Sequence, residues 1–266
     1  MAGQFLTIDR IAVEIDTPAD AGDVALMIHG LGGTSNTWTP LLPALRTMRT
    51  IRFDLPGSGR SAGIEGALSI ERFVDAARRV LASQKVERAH VLGHSLGTIV
   101  AFHLAASSPK TVRSLALFGP LLAPPDAARP NVRARGEKAR SEGVAGMQAI
   151  ADTLVQAATS AETKAKRHAV VAYVRESLMR QDPDGYARTC DALAAAQPAD
   201  VAAIKCPTLL VTGEEDGVAP PAAVRAIGEK IAGSRVEVLP KCGHWTPLEC
   251  ADECIDLLRG FYAGQT

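Results

Sequence analysis

Gly93-His-Ser-Leu-Gly97 leaves this chain few ways to fold. It follows the apolar run Ala89–Leu92 and precedes an apolar helical stretch from Leu96 to about Ala106. A G-x-S-x-G segment between a strand and a helix is a sharp turn with the serine at its apex. The flanking glycines have no Cβ, so the chain can bend tightly there while Ser95 takes the strain. The serine then stands at a helix N-terminus, where backbone N–H groups favour developing negative charge. Such a turn needs a buried strand behind it and a helix in front. The expected architecture is therefore a parallel sheet covered by helices.

The rest of the chain agrees. Val24–His29, Val112–Phe118 and Thr208–Thr212 read as further buried strands, Thr50–Asp54 and Val236–Leu239 as strands beside them, and Phe5–Asp16 as an edge hairpin. Helices are expected at Asn36–Leu45, Ser69–Ser83, Ala222–Ile231 and Leu248–Phe261. In the second, Ser69 is the cap, and Ile70, Phe73, Val74, Ala77, Val80 and Leu81 share one face. Between Gly119 and Pro207 the alternation stops. That stretch is proline-rich at its entry, carries Pro198 near its exit, and holds about four helical patterns between Gly136 and Ala196. It is expected to be an inserted lid, residues 119–203, in a core formed by 1–118 and 204–266.

A serine nucleophile needs a base and an acid that orients it, and in this kind of sheet the chain order is serine, acid, histidine. The strand Thr208–Thr212 ends in Gly213-Glu-Glu-Asp-Gly217. Asp216 is preferred as the acid because it precedes Gly217 and a proline-marked helix start. Glu214 and Glu215 stand earlier in the turn and compete with it. His244 follows the last strand and is the only one of the six histidines after Asp216. His29, His90, His94, His103 and His168 read as bracing or packing residues. The loop His29-Gly-Leu-Gly-Gly33 can turn backbone donors toward the serine, so the N–H groups of Leu31 and Leu96 are the expected oxyanion hole.

Other chemistries fit less well. Gly30-Leu-Gly-Gly-Thr-Ser lacks the third glycine of a dinucleotide fingerprint, and Gly57-Ser-Gly-Arg-Ser-Ala-Gly63 has one residue too many. No paired metal-ligand spacing occurs, so neither a metal nor a cofactor is expected. Twenty-nine basic and 29 acidic residues cancel, which gives no field for nucleic acid. No apolar run approaches the ~18 residues of a membrane span, and Met1–Arg10 has no signal-peptide pattern. Five sparse cysteines suggest a reducing cytoplasm rather than a disulfide framework.

His29–Gly33, Asp54-Leu-Pro-Gly-Ser-Gly-Arg-Ser61, Gly93–Gly97, Gly213–Asp216 and Gly243-His244 together resemble the α/β-hydrolase superfamily over nearly the whole chain. The resemblance implies Ser95, Asp216 and His244 as the triad, the helical insertion as a lid, and the Asp54–Ser61 turn near the mouth. Within the superfamily, Ala139–Thr153 and Asp184–Leu193 are similar to the 3-oxoadipate enol-lactonase and small esterase group. An aromatic-rich segment of that group is replaced here by Leu154–Ser160. The implied activity is hydrolysis of a small-molecule ester or lactone. Carbon–carbon hydrolysis of a vinylogous diketone, or a ligand receptor on the same scaffold, are the alternatives. A carboxylate nucleophile is absent at position 95, which argues against epoxide or haloalkane substrates. Gly30, Val218 and Trp245 are candidate substrate contacts. So are Arg133 and Arg135 of the basic cluster Arg129, Arg133, Arg135, Lys138 and Arg140, which otherwise reads as a solvated helix face.

Overall fold

The structure is a computed structural model that describes residues 3–63 and 65–264. Met1, Ala2, Ile64, Gln265 and Thr266, which the sequence assigns to the core segments, lie outside the described residues. The chain opens with a hairpin, β1 (Gln4–Ile8) and β2 (Ile11–Asp16), and continues through β3 (Asp23–Ile28) and β4 (Met48–Phe53). Helix α1 (Ile70–Ser83), β5 (Ala89–His94), α2 (Leu96–Ser107) and β6 (Val112–Phe118) follow. Four helices then intervene: α3 (Arg129–Ala158), α4 (Ala161–Lys166), α5 (His168–Met179) and α6 (Pro183–Ala195). The core resumes with β7 (Thr208–Gly213), α7 (Pro221–Gly228), β8 (Arg235–Leu239), α8 (Thr246–Glu249) and α9 (Ala251–Ala263).

The strands form one eight-stranded sheet in the order β1-β2-β4-β3-β5-β6-β7-β8. The pairs β1–β2 and β2–β4 are antiparallel, and the rest of the sheet is parallel. The central strands bury both faces, which explains why they are mostly apolar. Leu26, Ile28, Leu115 and Leu117 face a core shared with α1 and α2. Ala25, Met27, Ala116 and Phe118 face the other side, under Trp38, Leu41 and the apolar side of α9. Helix α1 presents the expected stripe, and the Ser69 hydroxyl accepts the Arg72 N–H at 3.2 Å.

Three helices differ from expectation. Ser35–Leu45 is a 3₁₀ helix with Pro40 and Pro43 inside it, each leaving one backbone bond of the helix unmade. The expected last helix is two, α8 and α9, separated at Cys250, whose φ of −129° and ψ of 52° are not helical. The helical insertion lies between β6 and β7, as expected. Its first helix starts at Arg129, earlier than the sequence suggested, and bends at Gly143, whose φ of 59° is open to glycine.

Candidate active site

Ser95 joins β5 to α2 with φ 52° and ψ −119°, a left-handed position rare for a residue with a side chain. Both glycines of the pentapeptide are explained by close approach. A Cβ on Gly97 would lie 2.1 Å from the Ile28 carbonyl oxygen, and one on Gly93 would lie 2.7 Å from that of Gly97. The turn is held from outside by the Ser95 N–H, which donates to the Phe118 carbonyl at 3.0 Å. Thr98 also braces it: its hydroxyl donates to the Ser95 carbonyl at 2.6 Å and accepts the Leu121 N–H at 2.9 Å.

His244, on the loop after β8, places Nε2 2.8 Å from the Ser95 hydroxyl and Nδ1 2.8 Å from Asp216 Oδ2. Asp216 is buried in the turn after β7, and its other oxygen accepts the N–H groups of Val218 and Ala219 at 2.8 Å each. Burial would raise its pKa, but His244 and these backbone donors outweigh burial and hold the carboxyl below its usual range. The competing carboxylates are exposed and do other work. Glu215 accepts the Ala161 N–H at 2.8 Å at the start of α4, and Glu214 accepts the Lys241 N–H at 3.3 Å.

The remaining histidines sort by environment. His29 donates from Nδ1 to the Gly30 carbonyl at 2.7 Å and accepts the Leu55 N–H on Nε2 at 2.9 Å. Both bonds require the neutral ring, and burial lowers its pKa. It braces the glycine loop. His94 donates from Nε2 to the His244 carbonyl at 3.0 Å, and burial followed by the neighbouring His244 pushes its pKa down to about 3. His90 bonds Ser114 from inside the sheet at 2.7 Å.

Leu31, Ser95, Arg135, Val218, His244 and Trp245 line one cavity of about 290 Å³ between the sheet and the α3–α6 insertion. Leu96 N–H lies in the first turn of α2, where helical amides have no partner within the helix. Gly30 does not line this cavity. It is small because a Cβ there would be 2.8 Å from the Ser95 Cβ, so it packs against the serine turn rather than a ligand. Arg133 is exposed and also lies off the cavity, since its side of α3 faces outward.

Three residues that the sequence did not single out hold this geometry. Gly119 (φ 57°) passes so near the pair that a Cβ would lie 2.9 Å from the His244 ring. Glu249, fully buried, accepts the N–H groups of Gly243 at 3.2 Å and Trp245 at 3.0 Å, one on each side of His244. It also accepts the Ser160 N–H at 2.8 Å, and the His244 N–H donates to the Ala158 carbonyl at 2.9 Å. The histidine loop and the end of α3 are therefore one hydrogen-bonded unit. Gln181 does the same for the glycine loop, donating to the Gly32 carbonyl at 3.2 Å while accepting the Gly59 N–H at 3.0 Å. A buried carboxylate that accepts three backbone donors leaves no pattern in the sequence that could have announced it.

The sheet order, the strained serine turn and the hydrogen-bonded Ser–His–Asp chain define an α/β-hydrolase architecture. The family model described as alpha/beta hydrolase fold matches residues 24–250, and the chain belongs to that family. It is 28% identical to a 2-hydroxymuconate semialdehyde hydrolase of Pseudomonas sp. (strain CF600), covering 91% of this chain and 88% of that one. It is 30% identical to a pimeloyl-[acyl-carrier protein] methyl ester esterase of Neisseria meningitidis, covering 92% and 78%. The enol-lactonase from Burkholderia xenovorans LB400 superposes with a TM-score of 0.89 at 26% identity, over 98% of this chain and 100% of that chain. Against other curated relatives the match spans only 32% and 35% of the relative's length.

Proposed function

We propose that the protein hydrolyses a carboxylic ester or lactone through an acyl-enzyme on Ser95. The single observation that carries this is the His244 ring, 2.8 Å from both the Ser95 hydroxyl and the Asp216 carboxylate. With Nδ1–H donated to Asp216, Nε2 is left to accept the serine proton as Oγ attacks the carbonyl. The buried carboxylate stabilises the imidazolium that forms. The N–H groups of Leu31 and Leu96 would hold the tetrahedral oxyanion, and imidazolium then protonates the leaving oxygen. Water cleaves the acyl-enzyme with His244 again as base. No step calls for a cofactor or a metal. Residues 119–203 act as the lid in this reading, supported by the cavity that they close over Ser95. The five free thiols favour a reducing compartment such as the cytoplasm.

A second reading is hydrolysis of a carbon–carbon bond in a vinylogous diketone, favoured by the likeness to the Pseudomonas semialdehyde hydrolase. The same three side chains would serve it. A panel of 4-nitrophenyl esters, lactones and ring-cleavage diketones separates the two. Ester or lactone turnover well above diketone turnover supports the first reading, and the reverse order replaces it with the second.

A further inference from the structure

Among the described residues, the lining of the cavity over Ser95 is apolar except for Ser95, His244, Asn131 and Arg135, and includes no Asp or Glu. Among the described residues Arg135 is its only Lys or Arg. It stands where this cavity meets a second, of about 360 Å³, lined by residues of both arms of the bent α3; Asn131, Arg135 and Leu154 line both. The rest of the basic cluster is occupied or turned outward. Arg129 pairs with Asp126 and donates to the carbonyls of Ala194 and Ala196. Lys138 pairs with Glu142, and Arg140 with Glu137 and Asp191. Arg133 is exposed. Arg135 alone of the five lines the Ser95 cavity, and it pairs with no carboxylate among the described residues. Its Nε–H is buried without an acceptor, and its neighbours are the neutral Cys190 thiol and Tyr186 ring.

An uncompensated guanidinium on an apolar wall calls for an anion, because Coulomb attraction is weakly screened there. Its planar fork matches two carboxylate oxygens. We propose that Arg135 binds a carboxylate carried by the substrate, so that the compound cleaved is an anionic ester or lactone. This rests on the hydrolytic reading above. The scissile carbonyl lies at Ser95, the apolar body fills the inner cavity, and the carboxylate reaches the junction with the outer one.

The test uses two substrate pairs. Ethyl hydrogen adipate is compared with diethyl adipate, and 6-acetoxyhexanoate with its methyl ester, so that the carboxylate sits on the acyl or the alcohol side. In at least one pair the wild type should prefer the anion. Arg135→Gln should lower kcat/KM for that anion by on the order of 10- to 100-fold, while the neutral partner changes less than about threefold and so reports an intact fold. Arg133→Gln should leave both unchanged. Adipate should compete with the neutral ester in the wild type and far less in Arg135→Gln. No preference in either pair, equal losses on anion and neutral ester, or no inhibition by adipate overturns the proposal. In those cases a neutral-ester activity that vanishes in Ser95→Ala keeps the hydrolytic reading standing. Cleavage of none of the four compounds by the wild type overturns both.

Discussion

Asp216 and Glu215 are neighbours in one turn, yet only Asp216 is buried against His244. Asp216→Asn should keep the packing but disturb the imidazole tautomer, lowering kcat by roughly 10⁴. Glu214→Gln and Glu215→Gln, at exposed positions, should cost less than about tenfold; steady-state kinetics on one ester ranks all three. Glu249 acts at one remove, fixing the backbone on both sides of His244. Glu249→Gln keeps the shape but can accept with only one of its two former carboxylate oxygens, leaving a buried N–H poorly paired. It should lower kcat more than it raises KM, because the base must stay within hydrogen-bond distance of Ser95, whereas Trp245 only lines the cavity wall. A change confined to KM would contradict that role. Ser95 was legible because its glycines announce the turn locally. Glu249 was not, because its partners Gly243 and Trp245 gain meaning only once Ser160, 89 positions away, packs beside them.

At the level of elements, the serine turn depends on how closely α2 lies against β3. Gly97→Ala would push a methyl into the Ile28 carbonyl, where a Cβ has only 2.1 Å. It should destabilise the fold by about 1–3 kcal/mol or more and shift the serine. Gly143→Ala, at the bend of α3, meets nothing within 4 Å, so only its φ of 59° opposes it. The cost there should be about 1–3 kcal/mol, from backbone strain alone, and urea denaturation of the two variants compares them. The core elements were legible because strands such as β3 and β7 are nearly continuous apolar runs and α1 carries its stripe in a 3.6-residue period. Pro40 and Pro43 interrupt the bonding of Ser35–Leu45, and its apolar spacing does not tell a 3₁₀ helix from an α-helix. The break at Cys250 had no local mark. It goes with Glu249 turning its side chain back into the histidine loop, a tertiary demand on a helical sequence.

For the molecule as a whole, buried neutral histidines set a pH limit. Burial lowers the pKa of His29, His90 and His94, the last from 6.5 to about 3. In the unfolded chain these rings take up protons near 6.5, so the unfolded state binds more protons below that pH. Stability should therefore fall as pH drops from about 6.5 toward 3, with His94 contributing up to about 1.4 kcal/mol per pH unit. Asp216 and Asp54, both held below the usual 3.8, add a further loss as pH falls through and below that value. Urea midpoints at pH 7 and pH 5 check this: the wild type should be weaker at pH 5, and His94→Asn should show a smaller difference. Equal wild-type midpoints would contradict it. The same three-dimensional closure joins the insertion to the core, since Ala158 and Ser160 at the end of α3 hold the His244 loop. The chemistry of the whole molecule turns on Ser95 as the nucleophile. Intact-mass measurement after reaction with diisopropyl fluorophosphate, followed by peptide mapping, tests it directly. One adduct per chain on Ser95, absent from a folded Ser95→Ala variant whose kcat has fallen on the order of 10⁶, is the predicted result. A folded Ser95→Ala protein that keeps a tenth of its ester hydrolysis would contradict it.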